Sequence, residues 1–223
     1  MFFILEESNK HNHQNLVERM FTLRAEVFHD KLGWNVVVGK RGEVDSYDDA
    51  NPAYLMWCNA EKTTLYGCLR LLPTTGPTLL YDVFRETFPN NVSLMAPGIW
   101  EGTRLCIDED AIAKDLPSID PKKAFCLMLL ALCETALKFG IHTLISNYEP
   151  PTKRLYAMAG APFTELGRAD GYGKRPVCAG SFEVSKRVLL EMRKRLGVTK
   201  PLLSDARNQP NNPAATIKQE EAA

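Results

Sequence analysis

The chain predicts an α/β fold, a mixed β-sheet sandwiched by helices in three layers. Three observations carry this. Strand-like segments come first as neighbours and then alternate with helical ones, which gives a sheet covered on both faces. Residues 124–139, opening Ala124-Phe-Cys-Leu-Met-Leu-Leu-Ala-Leu-Cys133, are apolar nearly all round, the mark of a buried helix. The 223 residues, 45% hydrophobic and 24% charged, suit one domain with a full-sized core, assigned here to residues 1–200.

Residues 2–6 read as a first strand. A helix follows over 13–31, with Leu16, Met20, Leu23 and Val27 spaced by three and four as an inward stripe. Arg24 and Phe28, four apart, share a neighbouring face near its end. Residues 33–52 form a loop too long for a mere connection, and such loops are commonly functional. Strands 53–59 and 64–72 are joined by the polar turn Ala60-Glu61-Lys62-Thr63. Pro73 and Pro77 interrupt the chain before a short helix at 78–84, and a strand at 99–107 carries Glu101 and Arg104. Pro121 starts a helix reaching Phe139, where Gly140 stops it. Strands 141–147, 162–168 and 176–184 and helices 152–159 and 185–196 complete the pattern. Residues 201–223, above all from 204 on, are rich in Asn, Pro, Ala and Glu and predict a disordered tail.

Net charge is zero, so nonspecific nucleic-acid binding has no overall electrostatic support. The charge is uneven, however. Residues 150–201 hold eleven Lys or Arg against four acids, a net of +7, which reads either as a docking face for an acidic partner or as a solvated surface. The six cysteines lie at 58, 68, 106, 126, 133 and 178 without C-x-x-C spacing, and read as reduced thiols of a cytoplasmic protein. The opening Met1-Phe-Phe-Ile-Leu5 meets Glu6-Glu7 at once, unlike a signal peptide. No stretch approaches the roughly 20 apolar residues of a membrane span.

Four acids stand together in Glu43-Val44-Asp45-Ser46-Tyr47-Asp48-Asp49, after Arg24, Phe28 and Trp34 and before Arg70, Glu101 and Arg104. This order of charges and rings suggests a pocket for a small molecule that carries both signs of charge beside a flat ring. The plainer alternative is a set of ion pairs tying the long loop to the sheet. On a regular strand Glu101 and Arg104 would face opposite sides; a bulge near Gly102 would bring them together.

These residues resemble the acyl-homoserine-lactone synthases, the LuxI-type autoinducer synthases. Leu23-Arg-Ala-Glu-Val-Phe28, Leu32-Gly-Trp34, Glu43-Val-Asp-Ser-Tyr-Asp48, Gly67-Cys-Leu-Arg-Leu-Leu-Pro73 and Trp100-Glu-Gly-Thr-Arg104 carry the likeness, with all eight invariant positions filled. The resemblance implies a GNAT-like acyltransferase fold. It also implies a two-substrate reaction: the amine of S-adenosylmethionine attacks an acyl thioester, then the methionine carboxylate closes a lactone and expels 5′-methylthioadenosine. S-adenosylmethionine is a substrate, and no cofactor or metal is implied. On this reading Arg24, Phe28, Trp34, Asp45, Asp48, Arg70 and Arg104 bind it, the acids facing its cationic end and the rings its sulfonium or adenine. Glu101, Arg104, Asp45 and Asp48 form the catalytic group, with Glu101 as general base, directly or through water, and the backbone near Leu105 facing the thioester oxygen. Trp100, Met128, Leu144 and Ser146 are the expected acyl pocket, plain core packing being the alternative. An acidic acyl carrier protein, or acyl-coenzyme A instead, would meet Lys153, Arg154, Lys174, Arg175, Lys186 and Arg187. A rival reading, an acetyl-coenzyme-A-dependent GNAT transferase, rests on Arg168-Ala-Asp-Gly-Tyr-Gly173, a pyrophosphate-loop pattern lacking the helix that should follow it.

Overall fold

The computed structural model describes residues 1–204. The chain opens on β1 (Phe2–Leu5), a short α1 (Glu7–Lys10) and α2 (Gln14–Arg24). Where one long helix was expected, α2 passes into a π-helical stretch, Ala25–Lys31. There the Leu32 N–H bonds the Val27 carbonyl, five residues back, at 3.0 Å, so the winding widens just after Arg24. The expected loop then holds a small hairpin, β2 (Val38–Gly39) and β3 (Gly42–Glu43), and a 3₁₀ turn at Ser46–Asp49. The Asp45 carboxylate caps that turn by accepting from the Tyr47 N–H.

Next come β4 (Ala53–Cys58), β5 (Leu65–Pro73), α3 (Leu79–Asp82) and β6 (Ile99–Ile107). An additional helix, α4 (Glu109–Asp115), starts where the Asp108 carboxylate accepts from the Ala111 N–H at 2.9 Å. The rest matches the expected order: α5 (Pro121–Lys138), β7 (Thr143–Tyr148), α6 (Lys153–Ala159), β8 (Phe163–Ala169), β9 (Val177–Glu183) and α7 (Lys186–Leu196).

Seven strands form one sheet in the order β1-β4-β5-β6-β7-β9-β8. All neighbours run antiparallel except β6 and β7. Side-chain alternation along β4 builds the layers. Leu55 and Trp57 join a core shared with α5, whereas Tyr54, Met56 and Cys58 join a second core with Leu16, Met20 and Leu23 of α2. The sheet is thus covered on both faces. Of the expected tail, residues 205–223 lie outside the described residues. Just before them, the Leu202 and Leu203 amides bond the Glu134 carboxylate at 2.8 and 3.1 Å, and the Ser204 N–H bonds the Phe2 carbonyl at 2.9 Å.

One feature of the sheet makes the site possible. The parallel strands β6 and β7 pair only over Ile99–Thr143, Trp100–Leu144 and Glu101–Ile145. Beyond Glu101 they part, and the gap becomes a cavity.

Candidate active site

Three buried arginines meet three acids beside this gap. Arg24, at the end of α2, donates from Nε to Glu43 Oε2 at 2.5 Å and from both Nη atoms to Asp48 at 2.7 and 3.0 Å. Arg70 of β5 forks onto Asp45 at 2.5 and 3.0 Å and reaches Asp48 Oδ1 at 2.8 Å, while its Nε donates to Thr103 Oγ1. Arg104 of β6 grips Glu43 at 2.9 Å and Asp45 at 3.0 Å. The Tyr54 hydroxyl adds a 2.7 Å bond to Asp48. Arg24 and Arg70 are fully buried, and Glu43 nearly so. The local formal charge balances, and forked geometry satisfies several donors of each guanidinium, as burial of charge requires. Burial alone would raise the Asp48 carboxyl, but the bonds and charges of Arg24 and Arg70 hold it well below the usual carboxylate range.

Among the acids of the network, Glu43 was the one missed. It stood in view within the acidic run, yet no local pattern says that it, rather than Asp49, turns inward.

The bulge sits elsewhere than expected. Register jumps from Arg70–Thr103 to Cys68–Cys106, so Arg104 and Leu105 together oppose Leu69. Arg104 itself takes φ +55°, a conformation that costs a non-glycine residue roughly 1–2 kcal/mol. The bulge reverses the alternation. Arg104 then lies on the same face as Thr103 and Arg70, whereas Leu105 turns to the opposite face. Gly102 keeps regular pairing with Leu71.

Glu101 is fully buried and points at the start of α3, accepting from the Leu79 and Leu80 N–H groups at 3.0 and 2.7 Å. Burial pushes its pKa up to about 7 against the pull of those two bonds and of Arg70 and Arg104.

Two cavities adjoin the network. One, of about 630 Å³, is walled by Glu43, Asp45, Tyr47, Trp34, Phe84, Tyr172 and Arg104. The other, of about 430 Å³, occupies the gap between β6 and β7 and is lined mainly by apolar groups. Trp34, Leu79, Phe84 and Arg104 line both, so the cavities meet there. Phe28 lies under this junction, its ring centroid 5.3 Å from that of Trp34 and 5.1 Å from the Arg104 guanidinium. Glu101 is in neither wall and sits behind Leu79.

The expected acyl-pocket residues divide. Leu144 and Ser146 line the apolar cavity, and Ser146 Oγ donates to the Gly102 carbonyl across the opening at 2.8 Å. Trp100 and Met128 do not. Trp100 lies in the stretch where β6 and β7 still pair, and Met128 projects toward Gly67 of β5. The α5 face that does line the cavity is Phe125, Leu129, Leu132 and Cys133, spaced so as to share one side of a helix.

The basic set also divides. Tyr148 pairs with Cys178 at one end of the β7–β9 ladder and Thr143 with Glu183 at the other, about 16 Å apart at strand rise. Lys153, Arg154, Lys174 and Arg175 follow Tyr148 or precede Val177, at the end where β6 and β7 have parted. Lys186 and Arg187 follow Glu183, at the opposite end, so they do not extend the same patch. Lys153 is also half-buried and paired with Glu165. The Arg168-to-Gly173 pattern falls on the end of β8 and the loop before β9, and no helix N-terminus follows to hold a pyrophosphate.

Comparison with known proteins agrees with this geometry. A family model described as autoinducer synthase matches residues 7–191. An acyl-homoserine-lactone synthase of Rhizobium etli is 36% identical over 171 residues, covering 76% of this chain and 78% of the relative. The crystal structure of the AHL synthase LasI superposes with a TM-score of 0.74 at 25% identity, over 88% of this chain and 93% of that one. BjaI, a CoA-dependent acyl-homoserine lactone synthase solved with SAM and isopentyl-CoA, shares the fold at a TM-score of 0.80 and 23% identity, over 99% of both chains. The mixed seven-stranded sheet is thus the GNAT-like arrangement expected from the sequence. With its family pattern matched along most of its length and its charged residues gathered at the junction of two cavities, the chain belongs to the autoinducer synthase family, the acyl-homoserine-lactone synthases.

Proposed function

We propose that S-adenosylmethionine occupies the cavity walled by Glu43 and Asp45, that the acyl chain of an acyl carrier protein occupies the one between β6 and β7, and that the amine and thioester meet at the wall formed by Trp34, Leu79, Phe84 and Arg104. The observation that carries this is the contact of two cavities, one walled in part by the Glu43 and Asp45 carboxylates and the other holding none of the network's acids, at residues common to both. Asp45, the most exposed acid of the network at 20%, faces the ammonium and sulfonium end. Arg104 receives the carboxylate, and Trp34, Phe28 and Phe84 supply the aromatic surroundings, worth about 0.5–2 kcal/mol for a desolvated cation. Arg24, Asp48 and Arg70 are buried behind these groups and hold them in place.

Glu101 takes the ammonium proton through an intervening water, since its carboxylate stands one residue behind the wall. A base poised near neutrality suits this step. The bulge leaves Arg104 and Leu105 without regular ladder partners on β5. Their amides are the proposed donors to the thioester oxygen as charge develops there. The freed amine attacks the thioester carbonyl and the carrier thiol leaves. The methionine carboxylate then displaces methylthioadenosine from its own γ-carbon.

The carrier protein is taken as the donor, its acidic surface meeting Lys153, Arg154, Lys174 and Arg175 at the open end of the apolar gap; coenzyme A phosphates would meet the same cations, so the test compares the two donors. A cytoplasmic site of action is supported by six buried free cysteines, which a reducing compartment preserves. The test supplies purified enzyme with S-adenosylmethionine and either acyl carrier protein or coenzyme A thioesters, with mass spectrometry of the products. A lactone formed together with methylthioadenosine is the expected result, faster from the carrier. Methylthioadenosine without lactone, or acetyl transfer from acetyl-coenzyme A, would overturn the reading.

A further inference from the structure

One acid at the junction belongs neither to the ion network nor to the sequence motifs. Glu149 follows β7 at the open end of the gap and lines the apolar cavity. Its Oε1 accepts from Trp34 Nε1 at 3.2 Å, and its Oε2 pairs with Arg175 Nη1 at 3.3 Å. Its side chain is 15% exposed. The Trp34 ring also meets Phe28 at 5.3 Å and Phe84 at 6.3 Å, the latter tilted against Tyr172 at 4.9 Å. Ring contacts permit sliding and tilting, whereas a hydrogen bond to the indole N–H fixes direction. Trp34 is also among the few side chains common to both cavities, so its tilt sets how much room each has.

We propose that Glu149 is a positioning residue for the reaction, holding the Trp34 indole as the partition between the nucleophile and acyl cavities. Arg175, on the loop between β8 and β9, orients the carboxylate for this task. Gly173 of the same loop lies against the indole, where an added Cβ would stand 3.7 Å from Trp34 Cδ1. The loop that carries two of the proposed docking cations therefore also braces the partition. This inference rests on the two-cavity reading above.

The test combines kinetics with a readout independent of turnover. Glu149→Ala removes the acceptor; Glu149→Gln keeps a carbonyl oxygen for the indole N–H. Glu149→Ala is expected to lower kcat about tenfold, the scale of one charge-assisted hydrogen bond, with a melting midpoint near that of the wild type. Glu149→Gln is expected to retain most of the rate. In the Trp34→Phe background, which lacks the N–H, Glu149→Ala should cost less than twofold more. In protein labelled with 5-fluorotryptophan, the Trp34 resonance, assigned by its loss in Trp34→Phe, should move and broaden on Glu149→Ala. A rate within twofold of wild type, full additivity with Trp34→Phe, or an unmoved Trp34 resonance would overturn the proposal. If the wild type makes no lactone, the functional reading fails, and the resonance still reports whether Glu149 holds the indole.

Discussion

Three guanidinium groups can be buried together only if each meets carboxylates in good geometry, because an uncompensated buried charge is far costlier than a paired one. Glu43 is the point of greatest leverage, since Arg24 and Arg104 both bind it. Glu43→Gln keeps the shape but leaves one buried positive charge in excess. It should lower the unfolding free energy by about 3–5 kcal/mol in urea titrations; a loss below about 1 kcal/mol would show that the network is loosely coupled. Asp48 adds an acid limb. Its folded pKa is depressed, so its stabilisation is complete above the unfolded value of 3.8 and is lost as pH falls below it. Glu101 has the opposite sign. With a pKa near 7 it is proton-free only above that pH, so lactone formation should rise as pH passes through about 7. Glu101→Gln should abolish that limb and lower turnover by roughly 10²–10⁴-fold. A pH profile unchanged by the substitution would remove Glu101 as the base and leave it as the anchor of α3. Arg24, Asp45, Asp48, Arg70 and Arg104 were legible as a group because the phrases around them resemble those of the autoinducer synthases. Glu149 was not, because 115 positions separate it from Trp34 and no local pattern marks such a contact.

Among the elements, the regular ones were the easiest to read. The α5 helix declares itself by its apolar run and by Pro121 and Gly140. The irregular ones were not, since a π-helical turn and a bulge are fixed by what they pack against. Arg104 takes its unusual φ because its partners Glu43 and Asp45 lie on the Arg70 face, a fact no periodicity contains. The β2–β3 hairpin is a further case. Gly42 has φ +103°, and a Cβ there would come within 2.3 Å of the Phe21 carbonyl oxygen. The hairpin is thus pressed on the α2 backbone, and this closeness is what carries Glu43 inward. Gly42→Ala should push the hairpin off, lowering the melting midpoint by several degrees and raising the KM for S-adenosylmethionine. Gly39→Ala, in open space on the paired strand opposite Gly42, is the control and should do neither. Equal effects from both would separate hairpin closeness from the network.

At the scale of the whole molecule, the layers follow from composition and alternation, but the location of surface charge does not. A run of eleven cations against four acids over residues 150–201 reads as one patch in sequence. In space the antiparallel turn of β7 against β9 sends Lys186 and Arg187 to the far end, and Lys153 is held by Glu165. Arg154 and Lys174 are exposed at the end where the apolar gap opens, and among the described residues neither bonds an acid. A carrier protein must bring its thioester to that opening, so its acidic surface should feel these two cations and not the distant pair. The double variant Arg154→Glu, Lys174→Glu should therefore raise the KM for acyl carrier protein about tenfold at low salt, leave the KM for S-adenosylmethionine unchanged, and lose most of its effect above about 0.3 M salt, where screening is strong. Lys186→Glu should change neither constant. A KM that moves with Lys186→Glu but not with the double variant would place the docking surface at the other end of the sheet and separate it from the gap.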